Sequence, residues 1–277
     1  MRTNEERFAV PDTGDVAVQQ QTSELSFTVP TEFVSLPSKG KFYPKDHPLH
    51  GKDTLEIKFM TAKEEDILTS QSLIKKGVAI DRMLQNLITD KNVQVPDLLI
   101  GDKNALTMAA RISGYGSEYD IVVTCPSCQE KCKHKFDLSL IEEKQLEDFS
   151  DLPIESQEDG LFTVSLLRTK AKVQFRLLTG KDEADIVKSM SDKKITREEK
   201  NSTSQLKRIL VSVNDNTDKR VIDNFVDSLP VIDAKLLRGL LKKVTPDVDM
   251  KQDFECSKCG HEEEVEIPFT VEFFWPK

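Results

Sequence analysis

The sequence predicts an α+β protein made of two similar units, an internal duplication of strand, helices and zinc knuckle, joined at one four-cysteine site of zinc-ribbon type. Three observations predict it. Four of the five cysteines fall into two CxxC pairs, Cys125 with Cys128 and Cys256 with Cys259. A strand followed by a capped helix occurs twice, and the order of elements after each cap is the same. A chain of 277 residues with 38% hydrophobic content is also long and apolar enough to build a core.

Residues 1–30, with "DTGDVAVQQQTSE", lack a sustained hydrophobic period and read as a flexible arm. Residues 31–51 carry Pro37, Gly40, Pro44, Pro48 and Gly51 and read as an ordered, irregular run of turns. The first unit spans 52–141, an acidic linker 142–161 and the second unit 162–277.

The units correspond in detail. Leu55, Ile57 and Phe59 alternate as in a strand, and Thr61 with Glu64 forms a capping box. Val173, Phe175 and Leu177 repeat the strand, and Thr179 with Asp182 repeats the cap. A helical apolar stripe at Ile80, Met83, Leu84, Leu87 and Ile88 matches Leu206, Ile209, Leu210 and Val213. Asp102 and Asp233 each open a further helix, and each lies 23 residues before a CxxC. Alternating residues follow both pairs. The charged stretch "KSMSDKKITREEKNSTSQ" is an insertion in the second unit, a loop or an exposed helix.

A CxxC pair can hold a metal, form a redox disulfide or do neither. A redox pair should open a helix after a strand, whereas both pairs here precede strands. Structural zinc needs four thiolates near tetrahedral geometry, and Cys125, Cys128, Cys256 and Cys259 supply them. About 127 residues lie between the knuckles, a gap that the duplication explains. With four protein ligands no position stays open for water, so a structural Zn2+ is expected rather than a catalytic one. Cys132 is a spare thiol on this reading, and His134 and His261 are supporting or solvated residues. Lys131, Lys133 and Lys135 follow the first knuckle and Glu262, Glu263, Glu264 and Glu266 the second; they read as solvated faces or as paired rows.

The formal charge of -9 opposes binding by broad phosphate contact, which makes nucleic acid an unlikely partner. No GxxxxGK[ST] loop, GxGxxG turn, HExxH helix or GxSxG elbow occurs, so no enzyme class is indicated. The apolar runs are too short for a membrane span, and the N-terminus lacks the pattern of a secretory signal. Two segments read either as partner surface or as core: Leu36, Pro37, Phe42 and Tyr43 in "LPSKGKFYP", and Phe273 and Trp275 in "FTVEFFWPK".

"LPSKGKFYP", followed by a strand and "MTAKEEDIL", resembles the start of the baseplate hub proteins of T-even-like tailed phages. The family's shared element falls on Leu36, Pro37, Ser38, Gly40 and Lys41, with Lys63, Glu64 and Glu65. The resemblance implies a non-enzymatic structural or assembly protein, made in the host cytoplasm and joined to other baseplate or tail proteins, in the virion tail or only during assembly. The alternative is a zinc-ribbon protein that contacts nucleic acid or the transcription machinery.

Overall fold

Period-two alternation and a threonine cap set the first elements. The computed structural model describes residues 28–144, 149–191, 197–267 and 271–274. Nearly all of the expected arm, and Trp275, lie outside these residues. Strands β1 (Thr31–Ser35) and β2 (Thr54–Lys58) pair antiparallel, with Leu55 and Ile57 turned inward. Thr61 caps α1 (Ala62–Thr69): its hydroxyl accepts from the Lys63 N–H, and its own N–H donates to Glu64 at 3.0 Å, the box that the spacing predicts. Next come α2 (Gln71–Lys76), α3 (Ala79–Leu87) and α4 (Ile100–Tyr115). Met83, Leu84 and Leu87 line the buried face of α3. The hairpin of β3 (Glu118–Thr124) and β4 (Lys131–Asp137) carries the first CxxC in its turn.

The stretch expected as a linker holds β5 (Glu142–Glu143) and β6 (Ser156–Glu158). After β7 (Leu161–Ser165) and β8 (Lys172–Arg176), Thr179 donates its N–H to Asp182 at 3.0 Å, the second cap. The Arg176 guanidinium grips the same carboxylate at 2.6 and 2.9 Å. Then follow α5 (Gly180–Ser191), α6 (Arg197–Ile209), β9 (Leu210–Val213), α7 (Lys219–Asp227) and α8 (Val231–Val244). Short β10 (Val248–Asp249), which pairs with β5, leads to the second CxxC hairpin, β11 (Lys251–Glu255) and β12 (Glu262–Glu266). Strands β6, β7, β8 and β9 form one antiparallel sheet in that order.

Both helical stripes end sooner than expected: Ile88 is extended after α3 and bridges to Ile57. Leu206 and Ile209 are helical, but Leu210 and Val213 belong to β9, not to a continued stripe. The β-branched alternation of "LVSV" favours a strand, and Asn214 and Asp215, both left-handed with φ of 47° and 62°, turn the chain after it. Of the two readings of the aromatic segments, partner surface or core, the described residues take the core one. Leu36, Pro37, Phe42, Tyr43 and Phe273 are buried, Phe42 against the rings of Phe149 and Phe162 at 6.1 and 5.8 Å. The Phe273 carbonyl accepts from the buried Arg111 Nε at 2.7 Å, which ties the last described turn to α4.

Two fully buried aspartates fasten hairpin turns to helix starts. Asp102 accepts from the Ser38 N–H at 2.9 Å, the Ser38 hydroxyl at 2.6 Å and the Tyr43 hydroxyl at 2.7 Å. The Tyr43 oxygen in turn accepts from the Leu99 N–H at 3.0 Å. Asp233 accepts from the Arg168 and Thr169 amides, on the β7–β8 turn, at 2.8 and 2.9 Å. The halves meet at a bridge between Leu99 and Thr179, where the Ile100 N–H donates to Leu178 at 3.2 Å and the Gly180 N–H to Leu98 at 2.9 Å. Beside it Lys103 joins Asp81 at 2.8 Å and Glu183 at 3.0 Å.

The aspartates titrate in opposite directions. Burial raises Asp102 above the usual carboxylate range and outweighs its donors. Burial also pushes on Asp233, but the Arg168 and Thr169 amides prevail and hold it below that range. A depressed folded pKa contributes stability that is full above the unfolded value and lost as pH falls through the folded one. Asp233→Asn, which sets an NH2 group among amide donors, should therefore cost about 2 kcal/mol at neutral pH. The cost should shrink in acid, as read by urea unfolding of both proteins at pH 7 and near pH 3.

Candidate metal centre

Each cysteine pair sits in a hairpin turn of the same backbone form. The Gln129 N–H donates to the Cys125 carbonyl and the Gly260 N–H to the Cys256 carbonyl, both at 2.9 Å. The Cys125 and Cys256 N–H groups donate across their turns to Glu130 and His261, also at 2.9 Å. The residue after the second cysteine is left-handed in both, with φ of 60° at Gln129 and 67° at Gly260. Glycine meets that requirement without strain, and Gln129 meets it at a cost of about 1 kcal/mol.

These turns bring four sulfur atoms together, all within 4.8 Å of one another. The Cys125 and Cys259 Sγ atoms are 3.8 Å apart, and those of Cys128 and Cys256 are 3.7 Å apart. Tetrahedral zinc with Zn–S bonds of about 2.3 Å separates its sulfurs by about 3.8 Å. The donor set therefore fits a four-thiolate metal in size and chemistry. Cys125 and Cys256 are buried, Cys128 is half-buried and Cys259 is exposed, so the cluster opens toward solvent on one side.

The surroundings bias the thiols unequally. The Cys259 and Lys258 amides point at the Cys256 sulfur and pull its thiol down to about 6. At Cys128 the Glu130 amide lowers the thiol, but burial and the crowded sulfurs of Cys259, Cys125 and Cys256 outweigh it and push it up to about 12. Four thiolates at this spacing repel one another, and a bound cation would relieve that repulsion.

Cys132, expected as a spare thiol, is buried with its Sγ 3.5 Å from that of Cys256. The inward phase of β4, which also buries Phe136, was the signal available for it. His134 packs against Phe136 and Phe254 at 4.5 and 5.3 Å between ring centres. His261 meets Glu263 at 3.1 Å, and Lys135 meets Glu118 at 2.9 Å, each within its own hairpin. These pairs match solvated faces better than paired rows.

Sequence reasoning missed Gln252. Its Nε2 donates to the Asp137 carbonyl at 2.6 Å and its Oε1 accepts from the Asp137 N–H at 3.3 Å. One side chain thus supplies both halves of a strand-like pair between the two knuckle hairpins, a contact with no local sequence signature. Gln252→Ala should cost about 1–2 kcal/mol and speed amide exchange at Asp137, as read by native-state hydrogen exchange, while leaving metal content unchanged.

Among the described residues, no helix is long and apolar enough to cross a membrane. No curated protein and no solved structure matches the chain. The family model described as T4 bacteriophage base plate protein matches residues 29–275, nearly the whole chain. The resemblance carried by "LPSKGKFYP" and "MTAKEEDIL" thus extends through both cysteine pairs, and the chain belongs to the T4 bacteriophage base plate protein family.

Proposed function

We propose that this base plate component is a non-enzymatic structural or assembly protein of the baseplate hub, held in shape by a zinc clamp and working through contacts with other baseplate or tail proteins. The observation that carries the clamp is the gathering of four sulfurs within 4.8 Å from hairpins 128 residues apart, Cys128 and Cys256. Zinc would be held by Cys125, Cys128, Cys256 and Cys259, and it would supply cohesion. All four positions being protein thiolates, the site has no vacancy for a reacting water.

The same reading takes the chain as two units, 52–141 and 162–277, that arose by duplication. Its support is the recurrence of hairpin, threonine cap, turn-binding aspartate and knuckle in one order, the first hairpin and its turn reaching back to β1, ahead of residue 52. Ile88, which bridges to Ile57, stands in the first unit where β9 pairs with β8 in the second. The clamp then ties the end of one unit to the end of the other. Synthesis in the host cytoplasm and incorporation into the tail belong to the same proposal, with the family match as their support. The glutamate row on β12, beside the cluster, weighs against nucleic acid as the partner.

Elemental mass spectrometry on protein purified without chelator should find one zinc per chain, and Cys256→Ser should lose it. Metal loss should lower the melting temperature markedly, since zinc binding in isolated modules is worth on the order of 10 kcal/mol of folding free energy. A metal-free protein as stable as the loaded one removes the clamp. Association of the loaded chain with purified tail proteins, absent for the Cys256→Ser chain, tests the assembly role.

A further inference from the structure

We infer that the chain associates head to tail with a second copy of itself, the start of α8 on one copy pairing with the start of α1 on the next. The inference rests on the two-unit reading above. Within the chain the units meet through a reciprocal backbone pair. Ile100, first residue of α4, donates to Leu178, and Gly180, first residue of α5, donates to Leu98. The first N–H groups of a helix have no partner inside it, so this contact satisfies two of them at once.

The buried aspartates and the threonine caps fix the counterparts. Aligning Asp233 on Asp102 sets Val231 at the place of Ile100 and Leu229 at that of Leu98. Aligning Thr61 on Thr179 sets Ala62 at the place of Gly180 and Met60 at that of Leu178. This second pair is not formed within the chain. Val231 is 78% exposed and Ile232 54% exposed, Thr61 and Ala62 are exposed, and among the described residues no hydrogen bond joins the two sites. A closed two-fold arrangement of units would use both pairs. Here one is used, and its complement is left as two unlike, matching ends, the arrangement that joins copies heterologously into a ring or a filament.

The chemistry at the open ends fits the role. The bridge requires N–H groups from Val231 and Ala62 and carbonyls from Leu229 and Met60. Pro230 is compatible, because its counterpart Leu99 sends its N–H to Tyr43 and not into the bridge. Ala234, at the place of Lys103, is buried in the core, so the open start of α8 carries no counterpart of the Lys103 ion pairs. Val231 and Ile232 are joined as exposed apolar residues by Leu167, on the turn that Asp233 holds. Covering them would remove apolar surface from water.

Sedimentation of the full chain across a concentration series tests this, with metal content measured on the same samples. Val231→Glu/Ile232→Asp places acids in the first turn of α8, where the helix dipole favours them. Ala62→Pro replaces the bridging N–H at the first position of α1, where proline is tolerated, after a Thr61 already extended at φ -122° and ψ 173°. The wild-type mass should rise with concentration, each variant should stay monomeric, and an equimolar mixture of the two variants should stop at a dimer. A wild type that stays monomeric, a variant that associates as the wild type does, or a mixture that stays monomeric overturns the inference. A zinc-loaded monomer sinks self-association alone and leaves the clamp standing; metal-free protein that associates in this pattern does the reverse.

Discussion

Four sulfurs within 4.8 Å of one another are the constraint to which the rest of the architecture answers. They come from turns 128 residues apart, so whatever fastens them closes nearly half of the chain into a loop. For a covalent crosslink over a loop of that length, the chain-entropy estimate is about 5 kcal/mol. A metal held by both knuckles would act in the same sense. The two hairpins are prepared for it: Gln252 aligns them at Asp137, and Phe254 packs against Cys125, Cys132 and Cys256, with His134 on its edge. Under the proposed clamp, the metal completes a junction that packing has already begun.

The family element also acquires a physical meaning. Ser38 donates twice to Asp102, and Leu36 is fully buried beside it. Gly40 is left-handed at φ 68°, and a side chain there would approach the Lys52 amide to 2.4 Å, so glycine is required by both conformation and space. Glu64 closes the helix cap. "LPSKGK" and "AKEED" thus read as elements that fix the first hairpin onto α4 and start α1 at the right place. They shape the protein that a partner meets, while the open starts of α1 and α8 are where a partner can reach.

Much of this was legible in the chain. Both threonine caps, the strands after each CxxC and the fourfold cysteine set follow from local spacing, because capping and knuckle formation are decided within a few residues. The failures are non-local. Period alone placed Leu210 and Val213 on a helix, since four apolar residues suit a helix end as well as a strand start; the alternation of "LVSV" favours the strand, and pairing with β8 fixes it. The choice between surface and core for Phe42 and Tyr43 stayed open in the sequence, because turn-rich sequence says nothing of what lies beneath it. The Ser38–Asp102 and Gln252–Asp137 bonds link residues 64 and 115 apart, beyond any window of sequence.

X-ray absorption at the zinc edge of the purified full chain tests the central claim most directly. Four sulfur neighbours at about 2.3 Å, with no nitrogen or oxygen in the first shell, is the predicted result. A shell containing nitrogen or oxygen, or fewer than four sulfurs, would contradict a clamp made by the two knuckles together.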